Sequence, residues 1–401
     1  LLERLSQTLE RLKTLMAIFV SNRYLPRRIL LLTGCFARAA AERHSISRLW
    51  KQSSGLIARS VTQNAGDHGE HYITRDKKEY WAMFYSAAGG GVLIALMALF
   101  KIYLGSIIDD KVWKGIAEGL NYGLGFMVIF MLHFTVATKQ PAMTAARFAE
   151  AVEKTPQGKT VNMKLAQLLV DVFRSQSIAV LGNVLIAMGL AALIAFGYQY
   201  KTGEPLMNAD QIAYQLHSID PFAGTLWFAA IAGVWLFCSG IISGYFDNRS
   251  NYLNMRMRLT QHPLLKKLMS EKTRVKFANY MHENYGSLIG NLCFGMLLGI
   301  TGVVGYLTHL PLDIRHVAFS SANVGYIAVS GHFTYSLLLQ CIAFVLLIGL
   351  VNLIVSFSLT LWVALRSLNA EIDSWWPIWH EVCQIVKKRP LSLFLPVQLD
   401  K

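Results

Sequence analysis

Charge is what this chain has least of. Only 15% of its 401 residues are charged, against 54% hydrophobic, where soluble domains average about a quarter charged. That shortfall excludes the pair of soluble domains which the length alone would allow. Carboxylates are the scarcer sign, 24 Asp and Glu against 38 Lys and Arg, for a net charge of +14. None lies near the centre of a long apolar run. Proton- and sodium-coupled transporters usually keep a carboxylate there, so that class loses weight. Cysteine is also sparse: Cys35, Cys238, Cys293, Cys341 and Cys383 are odd in number and form no CxxC. A disulfide framework and a zinc ribbon are both excluded, and structural thiols are the expectation. HExxH is missing as well. Asp67, His68, Glu70 and His71 crowd one polar stretch, but HGEH lacks the zincin spacing, so no metal site and no cofactor is expected.

What the chain does have is long apolar runs. Six are of membrane-crossing length: 82–104, 117–137, 178–198, 223–245, 288–308 and 337–362, each near the roughly 20 residues a spanning helix needs. Helices close their own backbone hydrogen bonds in lipid, so the expected fold is all-α: a polytopic membrane bundle of six transmembrane helices in three hairpins. Residues 1–80 read as a basic, helical cytoplasmic region and linker, 81–365 as the transmembrane domain, and 366–401 as an amphipathic cytoplasmic tail. In the first region Leu2, Leu5, Leu9, Leu12 and Met16 fall on one helical face. The sequence opens at Leu1 without a methionine, so further chain upstream is expected. In the tail, Trp375, Trp376 and Trp379 read as interfacial anchors.

Lys and Arg set the orientation. The segments before the first run, between the second and third, between the fourth and fifth, and after the sixth hold 14, 6, 8 and 5 of them; the alternate segments hold 3 (counting Lys101 at the end of the first run), 1 and 1. The positive-inside rule then puts both ends of the chain in the cytoplasm. Anionic lipid headgroups on that side are the expected partners, ahead of nucleic acid; a homo-oligomer is compatible with the same reading.

The run GNVLIAMGLAALIAFGY (Gly182 to Tyr198) has a partial copy 108 residues on, where Gly182, Asn183, Met188, Leu190, Gly197 and Tyr198 recur as Gly290, Asn291, Met296, Leu298, Gly305 and Tyr306. A fainter copy starts at Gly90. Parallel repetition of outward–inward hairpins is the architecture this suggests.

Few polar groups interrupt the runs. His133, Asn183, Asn291, Gln340 and Asn352 form a candidate intramembrane site, with helix-to-helix hydrogen bonding as the blander role of the asparagines. Lys101 and Glu118 sit near outer ends, within reach of water. Lys139 and Gln140, in HFTVATKQPAMTAA (133–146), and Asp247, Asn248 and Arg249, in SGYFDNRSNY, form a candidate cytoplasmic-mouth site. The second run is expected to end near Lys139, before Pro141. A basic helix is expected over 252–280. The uncharged stretch 317–331 is too short to span; it reads as a re-entrant segment or as an outer strand or hairpin.

These strings, with GEHYITRDKKEY (Gly69 to Tyr80) and DIRHVAFSSANVGY (Asp313 to Tyr326), resemble the bacterial membrane proteins named site-specific recombinase, the gonococcal-recombinase-like family. The resemblance covers about 1–395 and implies DNA recombination in Gram-negative bacteria. It carries no set of catalytic residues. The chain's own residues offer none either. There is no HxxR for a tyrosine recombinase, no strand–helix alternation for a serine recombinase, and the one tight acidic pair, Asp109–Asp110, falls on the outer side. The function expected from the residues is therefore a non-catalytic membrane role, as an envelope scaffold or in lipid or small-solute handling. DNA recombination through the basic cytoplasmic face is the alternative.

Overall fold

The computed structural model describes residues 73–395, except 75, 138–139, 154–158, 330–332, 369–371 and 373, together with residues 9, 12, 13, 15, 16, 30, 33 and 34. The chain divides into two compact units, Leu1–Leu56 and Ile57–Lys401. In the first, Leu9, Leu12 and Met16 are helical and exposed. The Asp67–His71 cluster lies outside the described residues.

The second unit holds twelve α-helices and no strand among the described residues. In chain order they are α1 (Lys77–Ile107), α2 (Lys111–Met131), α3 (Gln140–Glu153), α4 (Lys159–Thr202), α5 (Ala209–Ile219), α6 (Thr225–Tyr252), α7 (Met255–Gln261), α8 (Pro263–Leu268), α9 (Glu271–Thr308), α10 (Val317–Ala328), α11 (Tyr335–Leu368) and α12 (Trp376–Lys388). Short polar side chains start several of them. Asp76 accepts from the Glu79 amide, Asp110 from those of Val112 and Trp113, and Asn208 makes a capping box with Gln211, each satisfying amides a helix start leaves open. Left-handed residues end others: His133 after α2 (φ 58°) and His309 after α9 (φ 55°).

Among the described residues, five helices are long and apolar enough to cross a membrane: α1, α4, α6, α9 and α11. The second expected run is not among them. Its helix is shifted six residues toward the N-terminus, to Lys111–Met131, taking in Lys111 and Lys114 besides Glu118, and it ends well short of Lys139. The reason is local: the left-handed turn at His133 sends Phe134–Val136 onward without helix.

Close contacts fix the helix directions. Gly182 of α4 lies against Phe84 and Ala88 of α1 while Gly91 of α1 lies against Ala187, so these two run parallel. Gly115, Gly119 and Gly123 of α2 meet Gly299, Met296 and Leu292 of α9, an antiparallel pair. Gly290 on Ser239, with the Trp235 Nε1 to Thr301 Oγ1 bond, makes α9 antiparallel to α6. Ala229 beside Asn352 and Gly233 beside Val355 make α6 parallel to α11. α1 and α2 are antiparallel, Lys101 meeting Glu118 and Asn121 meeting Met97. Helices α1, α4 and α9 thus point one way and α2, α6 and α11 the other, which is the alternation expected of six passes. The tightest packing nevertheless skips hairpin order, pairing α1 with α4, α2 with α9, and α6 with both α9 and α11. The α2–α9 contact needs bare glycine on both sides, since a Cβ on Gly295 would land on the backbone of Gly123.

At the centre of these six lies α10. Ten of its twelve residues are buried. Phe319 packs on Tyr122 and Phe126 of α2, Gly325 on Met188 and Ala191 of α4, and the Tyr326 hydroxyl donates to the Ala95 carbonyl of α1. Since α9 and α11 are opposed in direction, the end of α9 and the start of α11 share a side, so α10 enters and leaves from that side. The stretch read as re-entrant or as a strand or hairpin is a buried, re-entrant half-helix.

A second apolar cluster stands beside the first. Phe148 and Ala149 of α3, Leu165 and Ala166 of α4, Leu361 and Ala364 of α11, and Ile378 and Val382 of α12 pack together. Helix α12 is amphipathic as expected, with Trp376 and Trp379 exposed; Trp375, just before it, is exposed as well and stacks on Phe148 at 6.0 Å. The helix expected over 252–280 is broken in three. Asn254 takes a left-handed φ of 47° and His262 an extended conformation before Pro263, leaving α7, α8 and the start of α9.

Candidate functional site

Two buried asparagines do the same job in two places. Asn183 of α4 is 1% exposed. Its Nδ2 donates to the carbonyls of Ala87 (2.5 Å) and Thr135 (2.9 Å), and its Oδ1 accepts from the Ala137 amide at 2.9 Å. Asn352 of α11 is 0% exposed. Its Nδ2 donates to the carbonyls of Ala229 (2.7 Å) and Arg315 (3.0 Å), and its Oδ1 accepts from the Val317 amide at 3.2 Å. In each case one amide ties a helix (α1 or α6) to a neighbouring stretch of non-helical backbone. Such backbone is tolerated at membrane depth only when something satisfies it. An amide side chain offers two donors and an acceptor, which is the set required.

The first of these stretches is held further by Ser86, whose hydroxyl donates to the His133 carbonyl (3.0 Å) and lies 2.9 Å from the Thr135 hydroxyl. The Thr135 amide donates to the Ser86 carbonyl at 3.2 Å. His133 itself is exposed, so its contribution is the turn and not an intramembrane imidazole. Asn291 donates to the Ser287 carbonyl of its own helix at 2.8 Å. Gln340 is exposed on α11. The five candidate intramembrane residues therefore do not converge on one site. Two are clamps, and the sequence repeat that paired Asn183 with Asn291 missed that Asn352 is its structural counterpart.

At the mouth, Lys139 lies outside the described residues and Gln140 opens α3. Asp247 accepts from the Gly286 amide at 2.8 Å, stitching the exit of α6 to α9, next to Ser250 and His282, whose hydroxyl and Nδ1 are 3.1 Å apart. Asn248 and Arg249 are exposed. Asp247 thus joins two helices; it does not cap the one that follows.

Three polar groups escaped sequence reading. Arg174 of α4 is 3% exposed, pairs with Asp171 at 2.9 Å and donates to the Thr74 carbonyl at 2.7 Å. The i,i+3 spacing of Asp171 and Arg174 was the available signal. Lys101 and Glu118, assigned separately to water, face each other at 3.5 Å. Arg315 pairs with Asp313 at 2.6 Å and its Nε donates to the Ser218 carbonyl at 2.8 Å. Every one of these contacts is chain to chain. Among the described residues no group of three or more His, Cys, Asp and Glu side chains is placed to hold a metal. The arrangement is chemically one of backbone satisfaction and helix registration.

Neither the curated proteins nor the solved structures include a match to this chain. The family model described as site-specific recombinase matches residues 1–396. With nearly the whole length matched, the chain belongs to that site-specific recombinase family.

Proposed function

We propose that this chain is a non-catalytic structural protein of the bacterial inner membrane, a rigid envelope scaffold with both described ends on the cytoplasmic side. The observation that carries the reading is the spending of Asn183 and Asn352 on backbone groups of their own chain. A conduit or carrier keeps its intramembrane polar groups for cargo; here two fully buried amides fix the geometry of the bundle. Glycine-on-glycine packing of α2 on α9 supports the same reading, because such contacts favour one fixed arrangement. The basic residues nearest the cytoplasmic ends of the long helices would rest on anionic headgroups.

The family name denotes DNA recombination, and one observation favours that second reading: the exposed, basic stretch between α6 and α9. Both readings are tested on the full-length protein in lipid. As a scaffold it leaves supercoiled plasmid unchanged, forms no covalent adduct with DNA, and leaves liposomes as tight to small solutes as empty ones. Recombined plasmid or a protein–DNA adduct would restore recombination; a specific solute flux would replace the scaffold with a transporter.

A further inference from the structure

The stretch from Arg249 to Lys276 carries eight Lys and Arg (Arg249, Arg256, Arg258, Lys266, Lys267, Lys272, Arg274 and Lys276) and one acid, Glu271. It holds α7, α8 and the first turns of α9. Large apolar side chains stand exposed among the cations: Met257 at 69%, Leu264 at 61% and Leu268 at 78%. Leu264 and Leu268 are four apart, hence on one face of α8.

Helix length places this tip away from lipid. The apolar part of α9, Leu288 to Thr308, fills the hydrocarbon thickness of about 30 Å at about 1.5 Å per residue. The seventeen residues from Leu288 back to Glu271 then extend about 25 Å further, past a headgroup layer of only about 5–7 Å. Helix α8 joins α9 at that far end, through Met269 and Ser270. Its lysines and leucines are out of reach of the protein's own bilayer and stand in the aqueous phase. Residues 1–56, with ten Lys and Arg and three Glu, carry the same sign of charge as this tip. A nucleic acid would neutralise the cations but give nothing for three exposed aliphatic side chains. Exposed Met and Leu among Arg and Lys match instead the chemistry of a helix-in-groove protein contact, with apolar anchors and a basic rim.

We propose that the α7–α8 tip is a docking surface for an acidic, amphipathic helix of a soluble partner protein, with Met257, Leu264 and Leu268 as anchors and Arg258, Lys266 and Lys267 as the charge match. This goes beyond the scaffold reading, by stating what the scaffold holds.

The test uses the full-length protein in discs of zwitterionic lipid and, as probe, a fluorescent synthetic helix with leucines on one face and glutamates on the other. The wild type binds it, and the interaction weakens at least about tenfold both in Leu264→Ser/Leu268→Ser and in Lys266→Glu/Lys267→Glu. A lysine-for-glutamate version of the probe does not bind. All four substituted positions are exposed, and an unchanged unfolding midpoint verifies that each variant is folded. Absence of probe binding overturns the proposal, as does binding indifferent to the leucine pair. If duplex DNA or phosphatidylglycerol vesicles bind the tip more tightly than the probe and ignore the leucine substitutions, phosphate is the ligand and the proposal fails. None of these results bears on whether the bundle conducts solute, so the scaffold reading stands or falls separately.

Discussion

Replacing Asn183 with alanine removes three hydrogen bonds and, unlike most surface substitutions, leaves their partners nowhere to turn. The Ala87 carbonyl is inside α1 and keeps its helical partner. The Thr135 carbonyl and the Ala137 amide belong to the non-helical stretch after α2, and Ala137 is 1% exposed. Two orphaned backbone groups at about 1–3 kcal/mol each set an upper range. Hydrogen bonds inside membrane proteins measure lower, about 0.6–1.7 kcal/mol. The expected loss is therefore about 2–4 kcal/mol, or about 30- to 1,000-fold in the unfolding equilibrium. Unfolding by sodium dodecyl sulfate in mixed micelles, followed by tryptophan fluorescence, reads that number. Gln340→Ala is the matched control: it deletes an amide from an exposed site and should stay within about 0.5 kcal/mol. If Asn183→Ala and Gln340→Ala unfold at the same detergent fraction, the clamp has no energetic weight and the argument from backbone satisfaction is wrong.

The second clamp should behave alike. Asn352→Ala loses a comparable amount, and a cysteine placed at Ser321, buried in α10, becomes reactive to maleimide in that variant but stays protected beside native Asn352. Gly295→Val should abolish folded protein on detergent size-exclusion, because the branched side chain meets the backbone of Gly123; Gly189→Val, with open space around it, should not. Tyr80→Phe removes the bond to the Phe394 carbonyl (2.8 Å), costing about 1 kcal/mol and speeding carboxypeptidase trimming of the tail. For orientation, an impermeant maleimide on intact spheroplasts should spare Cys383 and a cysteine at Met257 while labelling one at Trp113; the reverse pattern would invert the proposed topology.

Fold class and the alternation of helix directions were readable from the sequence because they rest on the length and order of the apolar runs, properties summed over many residues. Five of the six runs survive as long apolar helices at their expected places. Local breaks were less legible. Nothing in a hydropathy run announces that His133 will turn left-handed and end α2 early, and the Asn254 and His262–Pro263 breaks hide within a segment whose cations look uniformly helical. The polar groups show the same division. Asn183 was singled out correctly as a helix-to-helix bond, but its partners are backbone atoms, and backbone leaves no mark in composition. Its similarity to Asn352 is one of role and not of sequence, so a search for repeats selected Asn291. Gln340 was grouped with the others because position along a run says nothing about which way a side chain faces.

The buried half-helix α10 has a consequence for how the protein is made. A segment of twelve residues is too short to be handed to the bilayer as a spanning unit, yet in the finished protein it touches α1, α2, α4 and α11. It can settle only into a cavity that those helices have already outlined. The clamp that holds its entry, Asn352, lies in α11, which leaves the ribosome after all the other helices that α10 touches. Biogenesis must then keep an open vestibule among the earlier helices until α11 arrives to close it. A chain halted before α11 would leave that vestibule unfilled, so the arrival of α11, and not the insertion of each helix by itself, completes the seat of α10.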